Sequence, residues 1–319
     1  MDPQQFFTTS RVVVVAGKGG VGKTTVSAVL ARAAGDAGLR VLVVELEDKP
    51  GIAALLGGEG LLPYEDVVLA EGLGPSGSGR VSGRTITPSD ALADYLTSHG
   101  LKRLSKRLVT SGVIDVVSTA APGIDDILVL GKLKQLEREI ETEGLFDLVV
   151  VDGPAAGHAI TFLQSARGLL DAVRVGPIRT QARDVLEMLS DPARCQVLLV
   201  TLPEATPVNE LIETAYALED RIGVQLGPVV VNAQDVGDLL PDPRTVDGLP
   251  EGDDGAALAA AASFRTQRRA MHAEEIARLA RELPLAQLKL PLVPTAGLDA
   301  DDVAALAMRL SAAVGSLAP

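Results

Sequence analysis

Residues 12–25 read Val-Val-Val-Val-Ala-Gly-Lys-Gly-Gly-Val-Gly-Lys-Thr-Thr, a β-branched run that breaks into glycines and then opens a helical pattern. From Gly17 to Thr24 the run satisfies G-x-x-x-x-G-K-[ST], in the context that pattern requires: a buried strand before it and a helix, residues 23–37, after it. Glycines at these positions let successive backbone N–H groups converge on phosphate oxygens where a Cβ would collide. Gly17, Lys18, Gly19, Gly20, Val21, Gly22, Lys23, Thr24 and Thr25 are therefore the predicted triphosphate-binding residues. Lys23 is expected to reach the β and γ phosphates and Thr24 to ligate Mg²⁺, with the helix N-terminus adding a favourable dipole. The stretch predicts a P-loop hydrolase with ATP or ADP and Mg²⁺ as its cofactors.

Outward from this loop, strand-like runs at residues 41–45, 148–152, 196–201, 229–232 and 288–293 alternate with helical patterns at 181–189, 208–222 and 264–283. The alternation predicts an α/β fold, a mainly parallel twisted sheet flanked by helices. Ligands in such sheets sit at the carboxyl ends of strands, where Gly17, Glu45 and Asp152 stand. Residues 85–145 break the rhythm. Thr87-Pro88-Ser89-Asp90 offers a cap, Leu92, Leu96, Leu101, Leu104 and Leu108 mark a helical face, and residues 113–118 read as a short extended piece. The expectation is a single domain over 1–319 with an inserted helical subdomain drawn from about 85–145 and 160–195. The Gly/Ser-rich stretch 72–83 and the Asp/Gly/Pro-rich stretch 235–255 are expected to be mobile surface loops.

Composition narrows the functional classes. Hydrophobic residues make up 47% and aromatics only 3%, so the core must be built from Val, Leu and Ala, as suits parallel strands buried on both faces. A formal charge of -13 argues against a surface that neutralises nucleic-acid phosphates. Residues 1–5 lack the basic-then-apolar pattern of a signal peptide, and no apolar run approaches the roughly 20 residues that span a bilayer. One cysteine, Cys195, makes no internal disulfide and fits a reducing, cytoplasmic setting.

Beyond the P-loop pattern, several segments carry a resemblance. Lys18, at the start of the loop, resembles the second lysine of the deviant Walker A ATPases, the MinD, ParA, nitrogenase iron-protein and arsenite-pump group. Residues 151–163, Val-Asp-Gly-Pro-Ala-Ala-Gly-His-Ala-Ile-Thr-Phe-Leu, resemble the switch II of the ArsA family, which includes the tail-anchored-protein targeting ATPase. Asp152, Gly157 and His158 match that family's pattern while the residues between them depart from it. Residues 121–126 resemble its Pro-Gly-Ile-Asp-Glu segment, residues 230–234 its adenine-side Val-Asn-Gln segment, and Pro291-Leu292-Val293-Pro294 its adenine loop. The chain is similar throughout residues 11–300, and in its lack of cysteines it resembles the actinobacterial ArsA-like type.

The resemblance implies a dimer in which Lys18 reaches the phosphates of the neighbouring chain, a homodimer or a heterodimer with a related ATPase. It implies Asp152 as the carboxylate that holds Mg²⁺ through water, Asn232, Pro291 and Leu292 as adenine-side contacts, and His158 as a switch element. It also implies that Glu47 stands where the family's water-positioning aspartate does, with Glu45 and Asp48 as alternatives. Lys18, Lys23, Glu47 and Asp152 are the catalytic candidates. One cysteine supplies neither a zinc clasp, nor Fe–S ligation, nor a multi-thiolate arsenite site. The function so implied is a nucleotide-driven dimeric switch for a hydrophobic or membrane-protein client, without nucleic-acid binding or stable membrane insertion. The alternatives are a subunit of an anion or metalloid export system and a MinD/ParA-like positioning ATPase. Leu-rich faces near 92–108, 127–136 and 162–189 are either a client groove or core, and Arg265, Arg268, Arg269 and His272 read as a solvated face.

Overall fold

A computed structural model describes residues 1–46, 51–98, 123–237 and 253–317. In chain order the described elements are α1 (Pro3–Phe7), β1 (Val12–Gly17), α2 (Lys23–Asp36), β2 (Arg40–Glu45), α3 (Ile52–Leu55), β3 (Val67–Leu73) and β4 (Gly79–Thr85). Then follow α4 (Pro88–Ser98), α5 (Ile124–Thr142), β5 (Leu148–Ala155), α6 (Ala156–Ala172), α7 (Pro177–Ser190) and β6 (Cys195–Thr201). The last are α8 (Ala205–Ile222), β7 (Gln225–Leu226), β8 (Val229–Gln234), α9 (Asp253–Glu282), β9 (Gln287–Pro291) and α10 (Ala300–Gly315).

The strands form one sheet in the order β3-β4-β2-β5-β1-β6-β8-β9, with β7 paired to β6. All pairings are parallel except β3 with β4. β1 lies between β5 and β6, so the chain leaves it towards β2 on one side and reaches β6 on the other only later. The carboxyl end of β1 is therefore the switch point where a ligand crevice opens.

Period-2 alternation explains the two cores. In β1, Val12, Val14 and Ala16 enter one cluster with α5, α6, α7 and α8, while Val13 and Val15 enter the other with α2 and α10. Leu42 and Val44 against Val41 and Val43 divide β2 in the same way, and Val149 and Val151 against Leu148 and Val150 divide β5. Helix α10 opens with a capping box, in which Asp299 accepts from the amides of Asp301 and Asp302.

Several expectations change here. The stretch 72–83 is not a loop throughout: Gly79–Thr85 is a strand inserted between β3 and β2. Its glycines serve close approach, since a Cβ on Gly83 would lie 2.7 Å from Leu69 Cδ1, and one on Gly79 would collide with the Gly35 carbonyl. The short strand β7 had no signal at all. Residues 253–255 already belong to α9, while 238–252 lie outside the described residues, as do 99–122 with the piece 113–118. The faces at 127–136 and 162–189 are core: Ile127, Leu130, Leu133, Leu136, Phe162, Leu163, Val185, Met188 and Leu189 all pack into the cluster shared with the sheet, whereas Leu92 and Leu96 on α4 are only partly buried.

Beneath this core one charge is fully enclosed. Glu137 on α5 is 0% exposed and accepts from Arg11 at 2.7 Å and from Arg194 at 2.6 Å. Burial pushes its carboxyl up, but the hydrogen bonds from Arg194 and Arg11 outweigh that and hold it below the usual carboxylate range. A depressed folded-state pKa contributes stability above the unfolded value of about 4.3, lost as pH falls through the folded one. Glu137→Gln should therefore destabilise by roughly 2 kcal/mol at pH 7. The gap between Glu137→Gln and the native chain should close on acidification below about pH 4. Thermal unfolding between pH 3 and 7 checks this, and a gap that widens towards acid would contradict it.

Candidate functional site

Strand β1 delivers the phosphate loop by steric necessity. A Cβ on Gly17 would fall 2.4 Å from the Val200 carbonyl of the neighbouring strand, and one on Gly22 2.3 Å from Asn232 Nδ2. Gly20 and Gly22 also hold φ of +85° and +88°, where side chains are strained. Around Gly19 and Gly20, by contrast, a Cβ would meet nothing within 4 Å, because their backbone faces an open cleft. That cleft measures about 540 Å³, and its lining includes Gly19, Gly20, Gly22, Lys23, Thr24, Thr25, Glu45, Asp152 and His158. Backbone amides on an open cradle at the N-terminus of α2 fit a phosphate chain.

The metal candidates are brought together. Thr24 Oγ1 donates to Asp152 Oδ2 at 2.7 Å, and Ser27 Oγ donates to Asp152 Oδ1 at 3.0 Å. These hydroxyl and carboxylate oxygens beside the cradle are hard donors of the kind Mg²⁺ takes next to phosphates, so the residues fit that ion. Ser27 was missed, although it lies three residues beyond Thr24 on the same helix face. Lys23 Nζ donates to the Lys18 carbonyl at 3.2 Å, which folds its head back over the loop. Lys18 itself does not line the cleft: its Nζ is ion-paired to Glu210 Oε1 on α8 at 2.6 Å. Nothing in the spacing pointed to Glu210.

Glu47 and Asp48 lie outside the described residues. Glu45 is 4% exposed, sits opposite Asp152 in the β2–β5 register, and accepts from the Ile52 amide at 2.9 Å. It thereby hooks the returning chain over Thr24, where a Cβ on Gly51 would come 2.9 Å from Thr24 Cγ2. His158 lies near Asp126, whose carboxyl is held above its usual range by burial and then by Asp125, with His158 acting in the opposite sense. The start of α6 and the start of α5 are thus electrostatic neighbours.

The predicted adenine-side residues fall into two groups. Asn232 is buried against the phosphate loop and donates to the Val21 carbonyl at 2.9 Å. Pro291 pairs in register with Gln234, and the Leu292 amide donates to the Gln234 carbonyl at 2.8 Å, so both stand beside the end of β8 rather than in the phosphate cleft. The residues of α9 that read as a solvated face are only partly one. Arg265 grips Asp235 through two 2.7 Å hydrogen bonds that hold its carboxyl down to about 2, and Arg269 donates to the Gly237 carbonyl. His272 is 5% exposed. Arg268, paired with Glu204 at 3.4 Å, remains half-exposed.

Comparison with known proteins agrees with this geometry. The family described as the CobQ/CobB/MinD/ParA nucleotide binding domain matches residues 12–294. A putative ATPase of Mycobacterium bovis and the ATPase BagA of Mycobacterium tuberculosis are each 30% identical over 225 residues, covering 70% of this chain and 64% of theirs. A putative arsenical pump-driving ATPase of Halobacterium salinarum is 24% identical over 313 residues, covering 92% of this chain and 43% of its own. The chain thus spans less than two thirds of the length of these curated relatives.

Gly22→Ala should abolish the cradle, since its Cβ meets Asn232 at 2.3 Å and its φ is +88°. The expected result is at least a roughly tenfold loss of affinity for a fluorescent ATP analogue, with destabilisation of about 1–3 kcal/mol. Unchanged affinity would mean that the loop does not hold the nucleotide.

Proposed function

The chain belongs to the CobQ/CobB/MinD/ParA nucleotide-binding domain family, and from that premise we propose that it is an Mg²⁺-dependent ATPase of the ArsA-like branch, working as a dimeric switch. The observation that carries the reading is the Thr24–Asp152 hydrogen bond, which places a hydroxyl and a carboxylate together at the end of the phosphate cradle. Mg²⁺, when bound there, neutralises charge on the β and γ phosphate oxygens. The loop amides from Gly19 to Thr25 and Lys23 orient the triphosphate, and Lys18 from a second chain adds positive charge at the γ-phosphate. Glu47 orients the attacking water. Asp152 and His158, at the two ends of switch II, connect the state of the γ-phosphate to α5 and α6.

The branch assignment draws support from the Halobacterium relative, named as an arsenical pump-driving ATPase, whose match covers nearly the whole chain. A metalloid role has no comparable support in the residues. Cys195, the single cysteine, is 0% exposed in β6, and burial pushes its thiol up to about 12, far from a thiolate ligand. No described helix is long and apolar enough to cross a membrane. A protein client therefore suits the residues of this chain better than a metalloid held by thiolates.

Steady-state phosphate release tests the reading. Lys23→Ala and Asp152→Asn should each lower turnover by about a hundredfold or more, Asp152→Asn with a raised Mg²⁺ requirement. Lys18→Ala and Glu47→Gln should lower turnover while leaving nucleotide binding within a few-fold of the native chain. Native-level hydrolysis in Lys23→Ala would exclude the P-loop as the active site.

A further inference from the structure

The two lysines of the loop are held by the chain itself, and the holding of Lys18 carries a consequence for assembly. Lys18 Nζ meets Glu210 Oε1 at 2.6 Å, yet both side chains are over a third exposed, at 36% and 40%. Flexible ends in water form such pairs at little net gain, so this one contributes little to folding. Its effect is on direction. Glu210 stands on α8, which follows β6, on the opposite flank of β1 from the β5 and β2 ends that carry Asp152 and Glu45. The pair draws Lys18 to that flank, and Lys18 is missing from a cleft lined by Gly19, Gly20, Gly22 and Lys23. The Glu210 backbone is set in the helix, where its carbonyl accepts from the buried Thr214 hydroxyl at 2.6 Å, while its carboxylate stays free to turn. The Lys18 carbonyl in turn accepts from Lys23 Nζ at 3.2 Å, so the two lysines meet at one residue of the loop.

From this arrangement we infer that Glu210 is a positioning residue that occupies Lys18 in the separate chain and must surrender it when two chains close over nucleotide. The inference rests on the dimeric reading above. A triphosphate offers several negative oxygens in place of one carboxylate, so it wins the lysine, and the exposed pair sets a threshold rather than a block. Glu210 thus makes closure depend on phosphate charge, because without a stronger anion across the interface Lys18 stays with its own helix.

The test compares the full-length chain with Glu210→Gln, Glu210→Asp, Lys18→Ala and the double variant Glu210→Gln/Lys18→Ala. Sedimentation velocity with a non-hydrolysable ATP analogue and Mg²⁺ yields the protein concentration at half-dimerisation, and thermal unfolding is followed in parallel. Glu210→Gln should lower that concentration about two- to fivefold, with Glu210→Asp between it and the native chain and with little change in the unfolding midpoint. In the Lys18→Ala background Glu210→Gln should have no effect, the non-additivity of a direct pair. An unchanged or raised half-dimerisation concentration in Glu210→Gln overturns the inference alone, as does a shift that persists without Lys18. If the native chain stays monomeric with the analogue while still binding it, the dimeric reading and this inference fall together.

Discussion

Asp152 receives a hydroxyl hydrogen bond on each carboxylate oxygen, from Thr24 at 2.7 Å and Ser27 at 3.0 Å, and much of the site is organised around that junction. It fastens the first turn of α2 to the end of β5. Because β5 lies between β1 and β2, the same residue stands in register with Val15 on one flank and with Glu45 on the other. Three pieces of chain far apart in sequence therefore arrive at one point: the phosphate loop, the strand leading into switch II, and the strand leading into the acidic stretch after Glu45. A carboxylate so shared responds to whatever arrives in the cradle, since any cation drawn to it competes with both hydroxyls.

The glycines around this junction explain its rigidity. Gly17 and Gly22 lie under contacts of 2.4 and 2.3 Å to where a Cβ would be, one with a strand carbonyl and one with the Asn232 side chain. Gly153, just past Asp152, is pressed on the Val15 carbonyl in the same way, at 2.4 Å. Each trades a side chain for backbone proximity, and together they let β1, β5 and β6 converge at the crevice. Asn232, by bonding the Val21 carbonyl, ties β8 to the loop as well. The end of β8 is thus mechanically continuous with the phosphate loop.

The sheet was legible where strands are buried on both faces, because Val12–Gly17, Arg40–Glu45 and Cys195–Thr201 leave an unbroken apolar run whichever way each residue points. β4 was not, because its Gly79 and Gly83 look like turn residues and act as packing residues, a distinction only the neighbouring Gly35, Leu62 and Leu69 reveal. The strand–loop–helix frame of residues 12–36 could be read, since its pattern is local to a few consecutive residues. Partnerships across the fold could not. Lys18 with Glu210 spans 192 positions and Asn232 with Val21 spans 211, and no periodicity encodes such distances. The arginines of α9 misled for a related reason: helical spacing shows that Arg265 and Arg269 share a face, but not that the loop after β8 folds onto it.

What lies beyond the engine follows from where the apolar residues went. The described leucines of α5, α6 and α7 are spent on the sheet, with Leu130, Leu133, Leu163 and Leu189 essentially inaccessible. A client groove made from those faces would require them to leave the sheet and expose its core, at a cost far above what one nucleotide cycle supplies through a few switch contacts. Under the switch reading proposed above, coupling would act at helix ends that touch the site: the start of α5, where Asp126 neighbours His158, and the start of α6, which continues directly from β5. Small displacements there tilt packed helices as units rather than unpack them, so the surface that the proposed switch would change is one of helix ends and connections.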